Sequence, residues 1–327
     1  MIKHYTSRVA YFILSQLVLV FCICSCHKEH YINDVMPLTA PAEYSINDIK
    51  RRNDTTLIAV GGKRYERAVV LLSSDNGTTW QLIAEPLDKT IFSVCFINDT
   101  LGLAACLDGK LLKTIDGGYS WQVFQSYWAD VYDADLAADG TMVACGSSGA
   151  RKGLIYTSSD YCATIAYDTS AQHALRSVQH IAASSWLAAG YGTVLASDNS
   201  GVSWHESYPS PNDFYIDISK VNAQTLYVAG FAGTIIKTKD AGASWEKVMH
   251  GNRFFSERIH LNAIHFFDEN NGAAVGQEGI IMTTNDAGKN WYLHRIGNDI
   301  ALHSVLFTSA SVVLVGGNDG VIYKIKI

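Results

Sequence analysis

From residue 43 onward the chain alternates short apolar runs with tight polar turns, and the unit of that alternation returns about every 41 residues. Each unit reads as four short strands. The first carries an apolar-x-x-apolar-x-apolar pattern, as in Ile91-x-x-Val94-x-Phe96, Leu261-x-x-Ile264-x-Phe266 and Leu302-x-x-Val305-x-Phe307. The second is a run of small and apolar residues closed by glycine, as in Tyr227-Val228-Ala229-Gly230. A short turn to another glycine (Gly233, Gly279, Gly320) leads to a β-branched third strand such as Thr234-Ile235-Ile236. Such runs, bounded by Gly, Asn and Asp, are the signature of strands, and almost no helical period competes with them.

A single motif, Ser/Thr-x-Asp-x-Gly-x-x-Trp, separates the third strand from the fourth. It occurs at 73–80, 114–121, 238–245 and 284–291, with Asn199 for Asp at 197–204, and in a worn copy at 158–165 where Cys162 and Ile165 replace Gly and Trp. The acid folds its carboxylate back onto backbone N–H groups, the glycine supplies a positive φ, and the indole opens the outgoing strand against its neighbour. Asp75, Asp116, Asp240 and Asp286 are therefore turn-formers rather than catalysts, and the two altered turns are expected to be looser. Tryptophans spaced by about 41 to 46 residues give a propeller-blade period. The 285 residues from Glu43 to Ile327 hold seven such units. The expectation is an all-β, seven-bladed propeller of four-stranded antiparallel blades over 43–327. The last unit stops at its third strand, so a segment within residues 31–42 is expected to supply the missing strand and close the ring, because a bare edge invites pairing with other chains.

The motif resembles the Asp-box, or BNR repeat, of sialidases and other propellers. The fuller consensus, seen in Gly230-Phe231-Ala232-Gly233-Thr234-Ile235-Ile236-Lys237-Thr238 leading into the 238–245 box, resembles the propeller family of photosystem II stability and assembly factors. That resemblance implies a non-catalytic assembly or binding module and covers nearly all of residues 44–327.

Ahead of the repeats, Lys3 and Arg8 precede an apolar run from Val9 to Cys24, the layout of a secretory signal too short to be a comfortable permanent span. It closes with Ile23-Cys24-Ser25-Cys26, which resembles the lipobox of bacterial lipoproteins. Cys26 follows a small residue, as the lipidated cysteine must, whereas Cys22 and Cys24 do not. Residues 1–25 then form a signal peptide and 26–42 a lipidated tether with the closing strand, giving an extracytoplasmic protein anchored to a bacterial membrane, by preference the outer one. Removing 1–25 takes two of the 25 basic side chains and none of the 31 acidic ones, leaving a net charge of about −8. That balance argues against a nucleic-acid partner. Cys95, Cys106, Cys145 and Cys162 lack C-x-x-C spacing, so free buried thiols are expected and no zinc site is.

Binding is expected on the face opposite the boxes, built from the second-to-third strand turns and the inter-blade loops. Aromatic loops there are Tyr127–Asp130 with Trp128, Tyr208–Tyr215 and Arg253–Arg258, and the first unit adds a turn with Arg64 and Arg67. Two residues before the second aligned apolar position of each inner strand stands a ring of Asn47, Phe92, Tyr132, Arg176, Ile216, Asn262 and His303. The candidate binding residues are thus Arg176, Asn262, His303, Tyr132, Trp128, Arg64 and Arg67, a set able to hold a carboxylate or a peptide carbonyl, while a solvated lining without a ligand is the plainer alternative. The expected partner is an envelope protein or glycan, met by a monomer without cofactor or metal. The competing class is a sialidase or other glycosidase. A sialidase needs an arginine triad and an Arg-Ile-Pro-like element, and no proline here follows such an Arg. A glycoside hydrolase needs two carboxylates at a defined separation, and Asp108, Asp130, Asp133, Asp213, Glu278 and Asp319 offer loop-face acids without a pair that spacing singles out.

Overall fold

The computed structural model describes residues 30–31, 34–38, 43–125, 129–149, 152–168, 171–250, 259–297 and 299–327. The leader, Cys26, Trp128 and the 253–258 loop lie outside them. Within them the repeats form antiparallel sheets arranged as a β-propeller. The first sheet joins Ser45–Arg51, Leu57–Lys63, Arg67–Ser73 and Gln81–Ala84, and its neighbours repeat that order. The first strand of each sheet lines a central channel, and the small, fully buried residues of the second, such as Leu103, Ala104 and Ala105, let adjacent sheets pack closely. Apolar clusters fill the seams: Tyr227 of one sheet stacks on Phe266 of the next with ring centroids 3.6 Å apart.

Among the described residues there are six hydrogen-bonded sheets where the repeat count predicts seven. Two sequence repeats share one six-stranded sheet over 175–249, because Ser185–Ser197 and His205–Lys220 each run unbroken through what the pattern reads as two elements. Pairing of Tyr191 with Phe214 and of Thr193 with Pro209 carries the ladder across the junction. The stretch 208–215, expected to be an inter-blade loop, is therefore strand.

The C-terminal strand Ile322–Lys326 pairs antiparallel with Val35–Leu38, which completes the last sheet as its outer strand. A further short strand, His30–Tyr31, pairs in parallel with Tyr292–Arg295 and gives the preceding sheet a fifth member.

The Asp-boxes close as the motif demands. In the first, Ser73 Oγ donates to Asp75 Oδ1 (2.8 Å) and accepts from Gly77 N (2.8 Å), while Thr79 donates to Asp75 through both its N–H and its hydroxyl. The residue before Trp is thus a working part of the motif, as Ser120, Ser244 and Asn290 are in the other copies. The altered boxes are not looser. Around Cys162 the same bonds recur at 2.7–2.9 Å, with Thr164 in the place of Thr79, and Asn199 bonds Ser203 from both ends of its amide. Hydroxyl and acid hold the turn. Glycine supplies the positive φ, and at Gly77 it also leaves room for Leu314 of the neighbouring sheet, whereas Cys162 adopts +67° at some steric cost. Each box also meets the first-to-second strand turn of its own repeat, as in Gly117 N to Thr100 O (2.9 Å) and Ala287 N to Asn270 O (3.0 Å), so both turn types occupy one face of the disc.

Candidate functional site

The inner strands enclose a cavity of about 690 Å³ along the axis. Its walls are tied together by short polar side chains reaching between sheets. Asp48 Oδ2 accepts from Val94 N (3.1 Å), Asp133 Oδ2 from Val178 N (2.9 Å) and Ser177 Oγ (2.9 Å), and Asp217 Oδ2 from Ile264 N (2.8 Å). Ser304 Oγ accepts from Ile49 N (2.9 Å), joining the last sheet to the first. Asp133, which the sequence placed among loop-face acids, is one of these channel latches. Burial pushes its carboxyl up to about 7 and that of Asp217 up to about 6, and it raises Asp48 as well. The nearby Lys50, 3.7 Å from Asp48, opposes the rise, and the carboxylates in turn hold its ammonium well above the usual lysine range. Its side chain remains about half exposed to the channel.

On the loop face, Arg176 dominates the channel mouth. Its guanidinium lies 3.8 Å above the Tyr132 ring and 5.4 Å from that of Phe214. The arc continues on both sides, with Phe92 against Tyr132 (5.3 Å), Phe231 edge-on to Phe214 (4.8 Å), His260 against Phe231 (4.6 Å) and Tyr191 against Phe214 (5.7 Å). Arg176 Nε is buried, with no hydrogen-bond partner among the described residues. A side recess of about 360 Å³ opens between Arg64, Asp130, Tyr132 and Arg176. Tyr132 OH donates to Asp130 Oδ2 (3.3 Å), and the Arg64 guanidinium lies 4.0 Å from the same oxygen. An arc of tilted rings around a cation suits a planar, polar segment: cations and rings stabilise by roughly 0.5–2 kcal/mol, and arginine offers forked donors to carbonyl or carboxylate.

The structure thus brings Arg176, Tyr132 and Arg64 together. Asn262 and His303 line the same cavity, but Asn262 Nδ2 donates to Leu302 O (2.8 Å) and His303 Nε2 lies 2.7 Å from Asn318 Oδ1, so both are occupied in joining turns and sheets. Burial also depresses His303 below the usual imidazole range and keeps it neutral. Arg67 stands apart, paired with Glu85 at 2.9 Å. Trp128 lies outside the described residues. Tyr191, Phe231 and His260 were missed by the sequence reading, Phe231 because it sits inside the repeat consensus. Among the described residues no cluster of three or more His, Cys, Asp or Glu is placed to hold a metal, and no helix is long and apolar enough to cross a membrane. The four cysteines of these residues are free, with burial pushing the Cys162 thiol up to about 11.

The family model described as photosynthesis system II assembly factor YCF48 matches residues 133–284. No curated protein matches the chain. Among solved structures, YCF48 bound to a D1 peptide superposes with a TM-score of 0.70 at 16% identity, covering 91% of this chain and 99% of that one. YCF48 from Cyanidioschyzon merolae gives 0.67 at 18% identity, covering 90% and 98%. The WD40 repeats of RRP9 give 0.70 at 10% identity, covering 92% and 99%. The chain is a β-propeller of four-stranded antiparallel blades similar to YCF48.

Proposed function

We propose that this protein is a non-catalytic binding module, held at the cell envelope by a lipid on Cys26, whose channel mouth grips an extended peptide segment of a protein partner. The observation that carries the reading is Arg176: a cation 3.8 Å from the Tyr132 ring and 5.4 Å from that of Phe214, with a buried Nε that no group among the described residues satisfies. Extended peptide offers what this surface lacks, carbonyl oxygens and planar amides at close intervals. Similarity to YCF48, one structure of which holds a D1 peptide, supports a protein partner over a glycan. The raised carboxyls of Asp133 and Asp217 superficially suit acid–base chemistry, but each is committed as an acceptor to a neighbouring strand.

The test is capture of the partner from solubilised envelope followed by titration of the captured protein. Arg176→Ala is expected to weaken binding at least tenfold, about 1.4 kcal/mol or more, whereas Arg67→Ala leaves it unchanged. Hydrolysis of an envelope or extracellular polysaccharide that is lost on replacing a loop-face acid contradicts the proposal.

A further inference from the structure

Arg176 and Tyr132 meet across a seam that no backbone ladder spans. Tyr132 belongs to the inner strand Asp130–Leu136 and Arg176 to the next one, Leu175–Ala182, and among the described residues these two strands lie in separate sheets. Each residue also stands where its own strand loses register, Tyr132 between the pairs of Val131 and Asp133, and Arg176 between those of Leu175 and Ser177. A bulge of this kind re-aims a side chain and leaves its residue without a ladder partner. The aim of each therefore depends on the residues that flank it.

Those flanking residues are bonded to one another. Asp133 Oδ2 accepts from Ser177 Oγ (2.9 Å) and Val178 N (2.9 Å), while Oδ1 accepts from Ala134 N (2.9 Å). Two residues along, Asp135 Oδ2 accepts from Gln179 Nε2 (2.7 Å) and His180 N (2.8 Å). Two carboxylates thus cross this seam, where Asp48 and Asp217 cross theirs singly. Of the donors to Asp133, the backbone N–H groups cannot reverse. Only the Ser177 hydroxyl can turn from donor to acceptor, so a proton taken up by the carboxyl settles toward Ser177, and bonds that were charge-assisted lose about half their strength.

We infer that Asp133 is the positioning residue of the mouth: ionised, it holds the strand of Arg176 against that of Tyr132, and protonated, it slackens the seat of the cation over the ring. Proton uptake one residue from both partners then regulates the grip on peptide, an inference that rests on the reading of the Arg176 mouth as the peptide site. The other titratable groups around Asp133 are Asp130 and Asp135 on its own strand, Cys145 opposite it in the ladder, Cys95 on the preceding inner strand, Arg176, and Asp48, Lys50, Asp217 and His265 in the same cavity. Burial keeps both thiols and His265 neutral while Lys50 stays charged, which leaves the raised carboxyls of Asp133 (about 7), Asp217 (about 6) and Asp48 to titrate.

The test labels the arginines of the full chain with nitrogen-15 and follows the Arg176 Nε–H from about pH 5 to about pH 8, a signal assigned by its loss in Arg176→Lys and slowed in exchange by its burial. A chemical-shift change with a midpoint at about 7 is expected in the parent. It should vanish in Asp133→Asn and persist in Asp217→Asn at a lower midpoint, because the Asp217 charge helps to raise Asp133. Ser177→Ala keeps the carboxyl and removes its reversible partner, so the change should shrink by about half or more; a change of full size there reports the charge alone and overturns the positioning role. Affinity for the captured partner should fall about tenfold from about pH 8 to about pH 6, following the ionised fraction of Asp133, and stay at the weaker value throughout in Asp133→Asn. An Arg176 signal indifferent to pH, or equal affinity at both ends of the range, overturns the regulation and leaves the mouth reading intact. Binding that survives Arg176→Ala undiminished overturns the mouth reading and the regulation of binding with it.

Discussion

Two kinds of aspartate serve this protein, and environment alone separates them. The box acids are exposed and accept several short hydrogen bonds, which pull Asp75 and Asp160 down to about 2. Their folded-state pKa lies below the unfolded value near 3.9, so the stability they contribute is present above about pH 4 and is lost as pH falls toward 2. Asp133 and Asp217 are the reverse. Desolvation raises them, the folded state holds protons that the unfolded state releases, and stability declines as pH climbs from about 4 through about 7 and about 6 respectively. His265, depressed to about 3 by burial and by Lys50, acts in the opposite sense between pH 3 and 6.5, so the parent profile is a compromise. The difference between variants is cleaner. Asp133→Asn keeps an acceptor for Val178 N but has no proton to lose, so its melting temperature should gain on the parent's steadily from pH 4 to pH 7. A constant offset across that range would contradict the assigned shift.

At the scale of elements, the closing strand is the part whose removal has the widest effect. Val35 and Leu38 pack partly buried against the seams on either side of the last sheet, and four residues pair with Ile322–Lys326. Deleting residues 1–38 strips that ladder and exposes an edge. A loss of about 2–3 kcal/mol of apolar burial lowers the melting temperature by about 5–10 °C, and aggregation should rise with it; an unchanged melting curve would show that the ring does not depend on the strap. The sequence foretold this strand from a shortfall, a final repeat with no fourth strand. It foretold the box hairpins from chemistry, because an Asp, a positive φ and an indole at fixed spacing leave little choice. The partition of strands into sheets was not legible. Nothing in residues 185–220 marks that the backbone runs on without a break, since that depends on whether Tyr191 meets Phe214 across the junction. Nor did the pattern separate ring residues that are spent from those that are free: Asn262 and Arg176 occupy equivalent positions, and only the neighbouring carbonyl of Leu302 engages the first.

Taken whole, the disc presents two unlike faces. The channel is laced by its own latches, with Asp48, Asp133, Asp217 and Ser304 each holding the next inner strand. The box face presents apolar tips, and the loop face gathers rings from several sheets around Arg176. The most direct test of the central claim places a photoactivatable phenylalanine analogue at Phe231, on the mouth, or at Tyr119, on the opposite face, in cells carrying the protein. The account predicts a discrete protein adduct through position 231, lost when Arg176→Ala is added, and none through position 119. A protein adduct through 119 alone, or one through 231 that survives the loss of Arg176, would contradict it.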